Sequence, residues 1–112
     1  MNENIQTKDK EENIYKIQEV IKNTVTIKNM VNNSGREIVN QFEIYGSGFT
    51  LFQSYTSPIA MQYFGQTYIF KNWDYSVTTG KYRNMFLGET KKETLAKLKS
   101  GEYIAVDFEV EQ

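Results

Sequence analysis

The sequence predicts an α+β domain: a largely antiparallel sheet of about five to six strands, an N-terminal helix, and two short helices before the last strand. Three observations carry this. Strand-length segments with period-two alternation follow one another from Val25 to Phe70 with no helical periodicity between them. Helical spacing is confined to the stretch before Val25 and to the region between Ser76 and Lys99. One more alternating apolar segment, Tyr103 to Val110, follows. The order is not the strand–helix alternation of a doubly wound sheet.

Residues 1–12 are polar and mixed in charge, with Ile5 the sole apolar residue after Met1, and read as a flexible tail before a single domain over 13–112. Ile14, Ile17, Val20 and Ile21 fall at helical spacing, which predicts a helix from about Asp9 to Asn23. Val25, Ile27 and Val31 suggest a first strand, and Asn32-Asn33-Ser34-Gly35 a turn. A strand over Glu37–Tyr45 would set Ile38, Phe42 and Ile44 on one face, with Asn40 interrupting. Gly46-Ser47-Gly48 breaks the run before a strand from Phe49 to Thr56, and Ser57-Pro58 should end it, because proline cannot donate to a central ladder. Ile59 to Phe70 reads as a tight hairpin turning at Gly65-Gln66.

Ser76 to Thr79 offer N-caps for a helix to about Leu87, with Gly88 as its stop. Thr90-Lys91-Lys92-Glu93 fits the capping box and opens a second helix, ended by Ser100-Gly101. In the last strand Ile104, Val106, Phe108 and Val110 would share an apolar face, opposite Asp107, Glu109 and Glu111.

Ile44 to Phe70 has no charged residue and holds eight Tyr or Phe. Phe49-Thr50-Leu51-Phe52 is apolar towards both sides, which calls for helices or a partner over the second face. A protein partner suits tyrosine-rich surface, and burial against a second copy of the chain, a homodimer, fits the same surplus.

Composition excludes much. The 112 residues include no His and no Cys, so zinc chemistry and His-dependent nucleophilic catalysis are not expected. No cofactor is expected, and no metal, since Asp107, Glu109 and Glu111 read as a solvated strand face. No enzymatic activity is expected, because neither Ser-x-x-Lys nor Gly-x-Ser-x-Gly occurs. No apolar run approaches the roughly 20 residues that span a bilayer, so no membrane partner is expected and the cytoplasm of a host cell is the expected compartment. The net charge of −1 gives no long-range steering towards nucleic acid. Lys outnumbers Arg, and Asn, Ile, Lys, Tyr and Phe abound, as in hosts with AT-rich codons.

The segment Trp73 to Arg83 is the place where the chain reads as written for more than folding. Ser76, Thr78 and Thr79 at a helix start, with Lys81 and Arg83 near in sequence, could hold an anion. Trp73, Tyr75 and Tyr82 could stack bases or anchor a protein. The plainer reading is that the hydroxyls cap the helix while the aromatics pack.

Four phrases carry a resemblance: Ser54-Tyr55-Thr56-Ser57-Pro58-Ile59-Ala60, Trp73 through Tyr82, Phe86-Leu87-Gly88, and Lys92-Glu93-Thr94 through Lys99-Ser100-Gly101-Glu102-Tyr103. From Gln53 onward the chain resembles a family of small uncharacterised domains from phages and plasmids of low-GC Gram-positive bacteria. Members often carry Ser or another small residue where Gly80 stands, and the first 35 residues resemble nothing known and read as specific to this protein. The resemblance implies a mobile-element setting and a non-catalytic role. By analogy of context, the expected function is a binding protein that occludes a host protein, such as a CRISPR effector or another defence component. The alternative is a small nucleic-acid-binding module using Trp73 to Arg83.

Overall fold

The computed structural model describes residues 3–22 and 24–111. The elements are α1 (Glu3–Lys22), β1 (Thr26–Val31), β2 (Glu37–Gly46), β3 (Phe49–Ser54), β4 (Ser57–Tyr63), β5 (Gln66–Ile69), α2 (Val77–Leu87), α3 (Lys91–Ser100) and β6 (Ile104–Ala105). The sheet runs β1-β2-β3-β4-β5-β6, antiparallel through β5, with β6 parallel to β5. The parallel step needs a crossover, and α2 and α3 supply it. The expected α+β class, helix count and strand number are all present.

Both crossover helices lie on one face of the sheet. Two clusters fill the space between. Met30, Phe52, Ile59 and Tyr82 form one, flanked by Ile38. Ala60, Ile69, Leu98 and Tyr103 form the other, flanked by Leu87, Phe108 and Val110. Trp73 and Phe86 pack against both clusters and join them. The rings of Phe52 and Phe86 meet at 5.9 Å, tilted by 30°.

The helix ends follow the expected capping. Ser76 caps α2 and accepts from Thr79 N, while Gly88 at φ 70° closes it. Thr90 and Glu93 form the reciprocal box on α3.

Five details differ from the sequence reading. First, α1 begins at Glu3 rather than near Asp9, so it takes in most of the segment expected as a tail; its Glu, Gln and Lys residues are good helix formers. Second, Ile38 does not share a face with Phe42 and Ile44. Asn40 sits at φ 66°, and this irregularity shifts the alternation by one residue. Ile38 therefore joins the helix-side core, while Phe42 and Ile44 point the other way. Third, β3 ends at Ser54, ahead of the expected Thr56, and Pro58 lies inside β4 and not between strands. The ladder shifts register there, pairing Gln53 with Pro58 and Phe52 with Ala60, and a bulge of this kind accommodates proline. Fourth, the β4–β5 turn is Phe64-Gly65, one residue earlier than expected, with φ of 46° and 84°.

Fifth, the last strand is two residues long. Val106 N still donates to Ile69 O, but Asp107 Oδ1 then accepts from Lys71 N at 2.6 Å and the chain leaves the sheet. The apolar face expected of Ile104, Val106, Phe108 and Val110 is split. Ile104 and Val106 are exposed, whereas Phe108 and Val110 fold onto the second cluster.

Candidate functional site

The turn from β3 to β4 and the start of α2 face each other across a cleft of about 500 Å³. Ser54, Tyr55, Thr56 and Ser57 line one wall, and Tyr75, Ser76, Thr78 and Thr79 the other, with Ile59 also contributing. Eight of these nine side chains carry a hydroxyl, and none is Asp, Glu, Lys or Arg.

Buried hydroxyls tie the two walls together. Ser54 Oγ and Thr79 Oγ1 bond at 2.9 Å, and Ser76 Oγ donates to Thr79 Oγ1 at 3.1 Å. Thr79 is fully buried and Ser54 almost so. At the open side stand Tyr55, about half exposed, and Tyr75, 70% exposed. Tyr55 has φ 56°, and its N–H donates to Asn40 O at 2.7 Å. A bulky residue at positive φ is strained, and such strain clusters at working surfaces.

Behind the α2 wall lies a charged clamp. The Arg83 guanidinium is buried. Its Nη1 donates to Trp73 O at 2.5 Å and reaches Asp74 Oδ1 at 3.5 Å, and its Nη2 donates to Asn84 Oδ1 at 2.9 Å. It also sits 5.0 Å from the Trp73 ring centroid. Burial pulls its pKa below the ordinary arginine value, and Asp74 and Glu89 act in the opposite direction. Lys91 Nζ meets the other Asp74 oxygen at 2.6 Å. Arg83 thus fixes the loop that presents Tyr75 and Ser76. A Cβ added at Gly80 would meet Arg83 at 3.6 Å, an ordinary contact, so a small side chain fits there.

The residues singled out in the sequence divide into two groups. Tyr75, Thr78 and Lys81 are exposed, and Trp73 and Ser76 are half-buried. Thr79, Tyr82 and Arg83 are buried, so they build the site from beneath and do not present their side chains at the surface. Lys81 and Arg83 are not a paired anion clamp: Lys81 Nζ lies 5.4 Å from the Tyr82 ring centroid, while Arg83 faces Trp73. Sequence reasoning missed the opposite wall. Tyr55, Thr56 and Ser57 reach the cleft because the β3–β4 hairpin folds back beside α2, and the hydroxyl-rich phrase from Ser54 to Ser57 was the available signal.

Among the described residues no group of three or more His, Cys, Asp or Glu is placed to hold a metal ion, and no helix is long and apolar enough to cross a membrane.

The model of one protein family, described as a family of unknown function (DUF8033), matches residues 25–103. The chain belongs to this family. The family region takes in β1 and β2, so the similarity begins earlier than Gln53 and includes part of the first 35 residues. It holds both walls of the cleft and the Arg83 clamp, whereas α1 lies outside it. No curated protein and no solved structure matches the chain.

Proposed function

We propose that the chain is a non-enzymatic binding protein that occludes the surface of a host protein, docking through the hydroxyl cleft and its exposed tyrosines. The observation that carries this reading is the chemistry of the cleft. Its lining is hydroxyl and aromatic, with no carboxylate, amine or imidazole to activate a nucleophile. Tyrosine offers broad contact area plus a polar tip, which suits protein recognition. A neutral lining is a poor seat for phosphate, and the one arginine beside it is buried and engaged. The lysine-rich, AT-biased composition fits a phage or plasmid of a low-GC Gram-positive host. In that setting a defence component, such as a CRISPR effector, is the favoured class of target.

Capture from host lysate, with and without nuclease, tests the proposal. The expected result is a nuclease-resistant, stoichiometric protein complex, lost in Tyr75→Ala and kept in Lys81→Ala. If nuclease removes every partner and Lys81→Ala weakens binding, the surface is a nucleic-acid interface instead.

A further inference from the structure

The face of the sheet turned away from α2 and α3 carries an unbroken apolar row. Ile27, Ile44, Leu51, Met61, Tyr68 and Ile104 are successive register partners, so one residue from each of the six strands stands in line on the same side. The neighbouring rows add Phe42, Phe49 and Tyr63. None of these nine is buried, and Ile27 is 61% exposed. No residue of the three rows is charged.

We infer that this face is a dimer interface, covered by the same face of a second copy of the chain. Area is the first argument. At roughly 4.8 Å between strands the central row is roughly 24 Å long, and with a flanking row across four strands on each side the patch is roughly 20 Å wide. The accessible area of such a surface exceeds its projection and approaches the roughly 800 Å² that each partner supplies in a standard interface. The whole chain exposes 8072 Å². A compact chain of its mass exposes about 6,400 Å², so a large surplus is left in water.

Charge is the second argument. A face without a charged group is matched by another such face, and a strongly charged partner gains nothing from it. Two sheets with apolar inner faces pack about 10 Å apart, and a two-fold axis sets identical rows against each other. Ser54 and Thr79 place the hydroxyl cleft on the helix side of the sheet. The dimer therefore leaves two clefts facing outward, and its existence does not depend on what they bind.

Sedimentation equilibrium of the full chain tests this. The wild type is expected at twice the mass of one chain. Leu51→Lys is expected at the mass of one chain, with an unchanged far-ultraviolet dichroism spectrum. If Leu51→Lys does not fold, the double variant Ile27→Lys with Ile104→Lys places two positive charges on exposed rim positions and should also yield monomer. Val77→Lys, on the helix side and 92% exposed in the wild type, should remain dimeric. A wild type of one-chain mass at every concentration overturns the inference and leaves the face to a different protein. A dimer that survives the folded face variants also overturns it. So does a dimer dissolved by Ile17→Lys alone, which assigns the interface to α1.

Discussion

Tyr55 combines two properties that seldom coincide: a left-handed backbone and a half-exposed aromatic side chain at the mouth of a cleft. Holding a bulky residue there costs about 1–3 kcal/mol. Tyr55→Gly should therefore leave thermal stability equal or higher, while abolishing target capture; a lowered melting temperature would show that the side chain serves folding. Arg83 makes the opposite case. Arg83→Lys should lose about 2–3 kcal/mol in urea unfolding, because an ammonium cannot replace the planar fork that serves Trp73, Asp74 and Asn84 together. The sequence put Arg83 with Lys81 as counter-charge for an anion at the helix start. Their different fates depend on which side of α2 meets the sheet, and the short helix has no strong apolar stripe to announce it.

Between α2 and β6, Glu89 gathers three donors: Thr94 Oγ1 at 2.6 Å, Tyr103 OH at 2.7 Å and Lys97 Nζ at 2.8 Å. Burial alone would raise its pKa, but the bonds from Lys97, Thr94 and Tyr103 outweigh it and hold the carboxyl below its ordinary 4.5. This stabilisation is present above pH 4.5 and lost as pH falls through the lowered value. Tyr103 is pushed up to about 12, first by burial and then by Glu89, so its share is full below pH 10 and lost towards pH 12. Glu89→Gln should lower stability at neutral pH by about 1–3 kcal/mol. It should also flatten the acid limb of the stability–pH curve, measured by denaturant melts across pH. At this scale the sequence was legible where local chemistry decides. The cap at Ser76, the box at Thr90 and the stops at Gly88 and Gly101 all stood where expected. It failed where tertiary demands overrode alternation, as when Asn40 switched the facing of β2 and Asp107 drew the chain off the sheet.

The whole chain is long for its size. Its radius of gyration is 19.4 Å, against about 13 Å for a compact chain of this length. The 20-residue α1 lies outside the family region and leaves Ile14, Tyr15 and Ile17 exposed. Among the described residues, neither core cluster includes a residue of α1. Deleting residues 1–17 should therefore change unfolding free energy by less than about 0.5 kcal/mol, checked by urea titration. The class and strand order were readable because each hairpin is local in sequence. The two-walled cleft was not, since it joins Ser54 to Thr79 across intervening β4 and β5.

That strand order also has a temporal side. From β1 to β5 every strand pairs with the one just made, so ribosomal synthesis, at about 5–20 residues per second, is far slower than the microsecond closure of each hairpin. The meander can assemble as it emerges. The helices come later, and β6 last of all, to lock them in place. Each nascent chain thus passes through a stage in which Phe52, Ala60 and Ile69 are as bare as Leu51 and Met61 on the other side. The danger of mispairing with a neighbour is greatest in that interval, and it ends only when the last quarter of the chain arrives.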